Sequence, residues 1–160
     1  MVRISRLTDY AIVLLVRMGA EPQRLHRAGE LSASTHLPLP TVSKLLRMLT
    51  RKGLLRSQRG VHGGYQLTSK PEDLHLAEVI GRLEGPLGLT VCTHEGPGRE
   101  CRHQLLCPVQ GHWQYINRAF VTALQNVTLA DLVGGAAVPP TSGSGPNQVP
   151  EVPSTAPCRA

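Results

Sequence analysis

The chain is a basic polypeptide of 160 residues with a formal net charge of +6 and four cysteines. This length accommodates one domain or one domain with extensions, and no apolar run is long enough to cross a membrane. The start of the chain lacks the cleavage pattern of a secretory signal. We therefore expect a cytoplasmic protein without a membrane partner. No catalytic constellation of side chains is present in the sequence, so we do not expect an enzyme.

Basic residues are concentrated in the first half of the chain. Residues 1–70 contain 12 Lys and Arg and three acids, whereas residues 71–133 contain four Lys and Arg and seven acids. Because phosphate contacts by Lys and Arg release counterions, this distribution favours a polyanionic partner for the first half. A solvated basic surface is the alternative. Single-stranded nucleic acid is disfavoured, because its bases stack on aromatic rings and this half offers only Tyr10 and Tyr65.

Apolar residues at three- and four-residue spacing predict three helices before Gly53. The first spans residues 5–20, the second residues 28–35 and the third residues 40–52, and Gly53 ends the third in a left-handed conformation. A short helix, a tight turn and a second helix with outward hydroxyl and basic groups form the helix-turn-helix plan, whose second helix enters the major groove. The predicted DNA contacts on this helix are Thr41, Ser43, Lys44 and Arg47.

A β-hairpin is predicted within residues 54–67, directly after the third helix. A hairpin in this place is the wing of a winged helix, and its turn presents Arg59 and His62 to the minor groove of DNA. The glycines expected to permit positive φ in the turn are Gly60, Gly63 and Gly64.

Three further helices are predicted after the wing. They span residues 71–83, with Glu78 capping the start, residues 109–126, and residues 129–133, with Thr128 as N-cap. The long helix has a natural partner in a second copy of itself, which would place two recognition helices on a palindromic site. Packing within its own chain is the alternative. Residues 134–160 are rich in proline and glycine and predict a disordered tail.

Three of the four cysteines lie in one polar stretch between residues 92 and 107. Free cysteines usually prefer a packed interior, and clustered cysteines in a reducing compartment usually bind metal or perform redox chemistry. Three thiolates leave one position for another residue type, as at iron, zinc and some iron–sulfur centres. Structural zinc sites favour Cys-x2-Cys pairs, so the wider spacing favours iron–sulfur over zinc. Unpaired thiols and a disulfide are the alternatives.

A series of segments in residues 1–133 resembles the winged-helix regulators of the IscR and NsrR family, most closely those beside SUF iron–sulfur assembly operons. The segments are LTDYAIVLL, LPLPTVSKLLRMLTRKGLL, RGVHGGYQL, LAEVIGRLEGP and CPVQGHW. The resemblance implies a homodimeric bacterial transcription regulator whose affinity for double-stranded DNA depends on a bound iron–sulfur cluster. The expected fold is mainly α, a winged helix-turn-helix with a long C-terminal dimerisation helix.

The expected domains are a winged-helix domain at 1–84, a cluster-binding loop at 85–108, a dimerisation helix with a final short helix at 109–133, and the tail at 134–160. The resemblance implies that the cysteine ligands are Cys92, Cys101 and Cys107. In Isc-type members the fourth ligand is a histidine where this chain has Gln110, and in NsrR-type members it is an aspartate of the partner's first helix, which corresponds to Asp9. The candidates for the fourth ligand, in order, are Asp9 of the partner subunit, His112 and His103. A helix-start charge is the alternative role of Asp9.

The predicted function is repression of iron–sulfur cluster assembly genes, with cluster status sensed through a bound cluster of the 2Fe–2S type in preference to 4Fe–4S. The alternatives are a repressor that senses nitric oxide or redox state through the same cluster, and a zinc-stabilised DNA-binding protein without sensing.

Overall fold

The computed structural model describes residues 4–93 and 107–135. In this part of the chain, six helices and one antiparallel two-stranded sheet confirm the mainly α fold class and the winged helix-turn-helix. In order, they are α1 (Arg6–Gly19), α2 (Ala28–Thr35), α3 (Leu39–Arg51), β1 (Leu55–Gln58), β2 (Gly64–Leu67), α4 (Leu76–Glu84), α5 (Gln110–Gln125) and α6 (Leu129–Val133). The predicted tail beyond residue 135, as well as Cys101 and His103, lies outside the described residues.

Helix α1 lies at the centre of the fold and packs against α2, α3, α4 and α6. Its inward residues are completely or almost completely buried because apolar side chains recur along one face at helical spacing. They are Ala11, Leu14, Leu15 and Met18. Ser5 caps the helix: its hydroxyl accepts a hydrogen bond from the Thr8 backbone N–H at 3.2 Å.

Helix α3 is strongly amphipathic, and its inner face completes the core between α1 and α2. This face is formed by Val42, Leu45, Leu46 and Leu49, each with no exposed surface. Burial of such side chains contributes roughly 1.5–3 kcal/mol each. Gly53 follows the helix with φ of +73°, as predicted. The inner face fixes the orientation of α3, so its polar face points away from the core.

The helix predicted over residues 71–83 is divided in the structure. A 3₁₀ turn spans Pro71–Asp73, and α4 begins only at Leu76. The break arises because Leu74 and Leu76 form main-chain hydrogen bonds with the segment before α6: the Leu129 N–H donates to the Leu74 carbonyl and the Leu76 N–H to the Val127 carbonyl, both at 2.8 Å. Extended backbone is required for this pairing, so the helix cannot continue through it.

Glu78 does not cap α4, contrary to the prediction. Among the described residues no side chain caps this helix, and a carboxylate oxygen of Glu78 instead pairs with Arg82 Nη2 at 2.6 Å. The i, i+4 spacing brings the two side chains together on the helix surface.

Helix α5 contrasts with the core helices because it has 16 residues and none of them is buried. Its large exposed side chains include Trp113, Tyr115 and Ile116. Helix α6 then returns to the core through Leu129, which is 3% exposed, and Thr128 forms the predicted cap. The Thr128 backbone N–H and hydroxyl both donate to the Asp131 carboxylate and lower its pKa. No helix among the described ranges combines the length and apolarity that crossing a membrane would need.

Candidate functional site

A groove of about 760 Å³ runs between the polar face of α3 and the wing. It contains three of the four predicted α3 contacts, Ser43, Lys44 and Arg47, and the wing contributes Ser57 and Tyr65. The complete lining is Pro40, Ser43, Lys44, Arg47, Thr50, Arg51, Ser57 and Tyr65. It includes no acidic side chain, and a cationic groove along a recognition helix suits the phosphate backbone and the base edges of duplex DNA.

The wing has the predicted strands, paired in antiparallel register from Leu55 opposite Leu67 to Gln58 opposite Gly64. Of its three glycines only Gly60 has a positive φ, at +113°, so the expectation for Gly63 and Gly64 is wrong. These two positions need glycine for space instead. A Cβ at position 64 would lie 2.8 Å from the His26 carbonyl oxygen, and a Cβ at position 63 would overlap the Gln58 carbonyl. Glycine allows two backbones to approach this closely because it has no Cβ.

The wing is held to the domain by the segment between α1 and α2. His26 and Tyr65 form an antiparallel bridge with N···O distances of 2.8 and 2.9 Å. The buried Gln66 side chain donates to the Gln23 carbonyl at 2.8 Å and accepts from Arg56 Nη2 at 2.8 Å. Because these bonds anchor strand β2 on its outer side, the wing has a fixed position relative to α3.

The structure also brings Arg27 to the wing, which the sequence analysis did not foresee. Its Nη2 donates to the Val61 carbonyl in the wing turn at 2.9 Å, across 34 residues of sequence. No periodicity or motif links these positions, so only the folded chain reveals the contact. Arg51 was also missed, although Lys44, Arg47 and Arg51 recur at three- and four-residue spacing, which places them on one face of α3.

The remaining predicted DNA contacts lie at the start of α3 and in the wing turn. Thr41 is half-buried in the first turn of α3 and does not line the groove. Arg59 and His62 are exposed in the wing turn, as predicted.

Both ends of the cysteine stretch lie near α5. Cys92 is in a 3₁₀ turn, Val91–Thr93, that packs against α5, and the Leu89 N–H just before it donates to Asn117 Oδ1 at 3.0 Å. Cys107 is half-buried as a free cysteine immediately before α5. The main chain therefore leaves one helix surface at residue 93 and returns to the beginning of the same helix.

The candidate fourth ligands in the described ranges are both exposed. Asp9 lies in the first turn of α1, and its carboxylate has no hydrogen bond or ion pair with another described residue. His112 lies in the first turn of α5. Within residues 4–93 and 107–135, no group of three potential metal-ligating side chains is close enough to hold an ion.

The chain was compared with models of known protein families. The model of the Rrf2 family, described as an iron-dependent transcriptional regulator, matches residues 4–135. The chain belongs to the Rrf2 family. It is therefore a transcription regulator of a DNA-binding family, and the predicted resemblance is confirmed. The α3–wing groove is its candidate DNA-binding surface.

Several Rrf2-family relatives and similar folds are known. The rrf2 protein of Nitratidesulfovibrio vulgaris is 34% identical over 99 residues, which cover 62% of this chain and 65% of that protein. The structure of CymR, the global cysteine regulator of B. subtilis, has a TM-score of 0.66 at 24% identity and covers 85% of this chain and 99% of that one. T. potens IscR has a TM-score of 0.63 at 20% identity, with coverages of 84% and 88%. At these identities the two structures confirm the fold.

Proposed function

We propose that this Rrf2-family regulator is a homodimeric repressor of iron–sulfur cluster assembly genes, and that it senses cluster status through an iron–sulfur cluster held by Cys92, Cys101 and Cys107. The observation that carries the proposal is the return of the cysteine stretch to α5, where Cys92 lies in a turn on that helix and Cys107 precedes its first residue. The iron-dependent description of the family is in accord with this ligand set.

The residues present fit such a cluster chemically. Thiolates are its usual ligands, and a bound cluster supplies a redox-responsive centre. The half-buried Cys107 can supply one thiolate at the edge of α5. Asp9 of the partner subunit is the proposed fourth ligand, because its carboxylate is exposed and has no partner in the described part of its own chain. His112 and His103 remain the second and third choices.

The proposed dimer explains the exposed apolar side chains of α5. Trp113 is 38% exposed, Tyr115 73% and Ile116 44%, on a helix that buries none of its residues within its own chain. Large aromatic and aliphatic groups of this kind form the centre of protein interfaces. A second copy packed along α5 would set two α3 helices side by side and favour a palindromic operator.

Ligation would affect DNA binding by restraining the cysteine stretch against α5. When the thiolates hold a common centre, Cys92 and Cys107 would be tied together; when ligation is lost, this tie would be absent. The ligand state can change DNA affinity only if it favours one spacing of the two DNA-reading domains over another. A coupling of roughly 1–3 kcal/mol would change affinity about 5- to 150-fold.

Two other functions use the same surfaces. A sensor of nitric oxide or redox state would use the same ligands, and a zinc-stabilised regulator would use the cysteines only for structure. The fold itself does not decide among them, because a global cysteine regulator has the same fold.

Anaerobic purification followed by ultraviolet–visible spectroscopy, with iron, sulfide and zinc assays, tests the proposal. A brown protein with charge-transfer bands that fade in air is expected. Cys107→Ser should abolish the bands, whereas Cys158→Ser, which changes the fourth cysteine of the sequence in the predicted tail, should leave them intact. A colourless protein with stoichiometric zinc would contradict cluster sensing. Treatment of the loaded protein with oxygen and with nitric oxide, each followed by a DNA-binding assay, then separates the two cluster-based functions.

The identity of the fourth ligand is tested by comparing the spectra of two variants. Asp9→Ala should distort or weaken the bands, whereas Glu30→Ala, which removes an exposed first-turn acid from α2, should leave them unchanged. Identical spectra for wild type and Asp9→Ala would exclude Asp9 and direct the search to His112→Ala and His103→Ala.

A further inference from the structure

A second groove, of about 480 Å³, lies where the segment before α2 meets the wing. Three arginines from three separate elements line it: Arg27 before α2, Arg47 on α3 and Arg59 in the wing turn. Its lining contains no acidic residue. Charges of one sign converge here although residues 27, 47 and 59 are far apart in sequence.

These arginines carry positive charge that no carboxylate in the described part of the chain neutralises. The ion pairs found there belong to other arginines, Arg24 and Arg82. Arg24 is the informative contrast, because it lies only three residues before Arg27 and contacts both Glu21 and Glu30 at 3.3 Å. Uncompensated cations held together in this way favour an anionic ligand.

Arg27 is held in place by the wing itself. Its guanidinium makes one hydrogen bond to another described residue, from Nη2 to the Val61 carbonyl at 2.9 Å, and this bond uses one of its five N–H donors. The remaining donors are available to a second acceptor. Ala28, the first residue of α2, also lines the groove, and α2 has no side-chain N-cap, so the positive end of its dipole adds to the same field.

We propose that this groove binds one phosphate of the DNA backbone, and that Arg27 is a ligand of that phosphate as well as the residue that fixes the wing turn. The proposal rests on the DNA-binding function of the protein and adds a contact outside the α3–wing groove. Arginine suits the role because its planar fork binds phosphate oxygens in pairs. A backbone contact of this kind sets the position of the wing on the duplex and carries no sequence information.

Salt dependence of DNA binding tests the proposal without knowledge of the operator. The full chain is titrated with a fluorescent duplex of arbitrary sequence by anisotropy, at several KCl concentrations between about 50 and 200 mM. Arg27→Ala should weaken binding about tenfold and lower the slope of log K against log salt by about 0.9 for each bound protomer. Arg27→Gln should do the same, and Arg27→Lys should retain most of the slope because it keeps the charge.

Arg24→Ala is the matched control, since it removes the same charge three residues away and should leave the slope unchanged. Thermal melting verifies that each variant is folded. A weaker Arg27→Ala with the wild-type slope would mean that the residue only positions the wing, and would overturn the phosphate site. If wild type and Arg24→Ala bind DNA normally, and Arg27→Ala and Arg27→Gln bind with unchanged affinity and slope, the phosphate site is also overturned. The DNA-binding function would stay intact in that case. Failure of the wild-type chain to bind any duplex would overturn both.

Discussion

The DNA-reading domain (residues 4–84) and α5 differ in where their apolar side chains lie. In the domain, Leu14, Leu46 and other core residues have no exposed surface. In α5 every residue is at least partly exposed, and Trp113 and Ile116 retain 38% and 44% of their accessible surface. Apolar side chains therefore form an internal core in the domain and an exposed surface on α5.

This difference indicates how each region is stabilised. The domain buries its core side chains within the chain, although Leu39 and Val61 are among the apolar side chains that it leaves exposed. Helix α5 leaves apolar surface in water unless another molecule covers it, and each buried Å² contributes about 25 cal/mol. We therefore expect substitutions in the domain to change unfolding and substitutions on α5 to change assembly.

The largest effect should come from Leu46→Ala in the core. This change removes a fully buried side chain on the inner face of α3 and leaves a cavity, so the free energy of unfolding should fall by about 2–5 kcal/mol. Urea denaturation followed by circular dichroism measures it. Leu39→Ala, at a position 49% exposed on the same helix, is the control and should change stability by about 0.5 kcal/mol or less.

The next effect should come from Ile116→Glu on α5. A charge at the proposed interface should weaken self-association about 30-fold, the cost of losing an interface hot spot of about 2 kcal/mol. Sedimentation equilibrium measures the dissociation constant. Val61→Glu adds the same charge at an exposed position on the wing and should leave it unchanged. Unfolding of Ile116→Glu under conditions where wild type is a folded monomer would contradict the contrast between the regions.

A smaller effect is expected for Arg59→Ala at the surface of the domain. This exposed side chain of the wing turn lines the second groove, so its loss should weaken DNA binding about tenfold without changing the melting temperature. A gel-shift assay on operator DNA measures the affinity. Unchanged affinity would remove the wing from the binding surface and leave α3 as the reading element.

The smallest effect concerns a contact between the ends of α1 and α4. The Ser5 backbone N–H donates to Glu84 Oε1 at 2.7 Å, and this bond lowers the pKa of the Glu84 carboxyl. Because the pKa is lower in the folded state, the contribution to stability is complete above the ordinary glutamate pKa and is lost as the pH falls toward the lowered value.

Since Glu84 is exposed, solvent limits this contribution to a few tenths of a kcal/mol. Glu84→Gln should accordingly flatten the stability profile slightly between about pH 3 and pH 5 and leave neutral stability almost unchanged. Urea midpoints measured across this interval test it. A profile identical to that of wild type would show that the bond has no energetic role.

The sequence predicted those parts of the fold that local pattern controls. The spacing of apolar residues predicted α3, whose buried face consists of Val42, Leu45, Leu46 and Leu49, and the hairpin predicted within residues 54–67 is present. The start of α4 was wrong because main-chain bonds from residues 74 and 76 to residues 129 and 127 hold residues 74 and 75 in an extended conformation. Local periodicity contains no information about such a partner.

Some residues of the candidate site also follow from local sequence pattern, whereas others depend on contacts between distant parts of the chain. The sequence could place Lys44 and Arg47 in the α3–wing groove, because residue spacing determines which side chains share a helical face. It could not place Arg27, because the position of Arg27 in the second groove depends on a contact with Val61, 34 residues away. The roles of Cys92 and Cys107 came from their spacing and the family resemblance and stay predictions, whereas the packing of the Cys92 turn on α5 is known only from the fold.

The pairing of residues 74–76 with 127–129 joins the start of α4 to the start of α6. The cysteine stretch is connected backward to α4 and forward through α5 to α6, so both of its connections lead to this pairing. Both routes end on the same element, because α4 and α6 each pack against α1. Two paths in parallel therefore converge on the central helix, which carries Asp9 in its first turn and packs against α3.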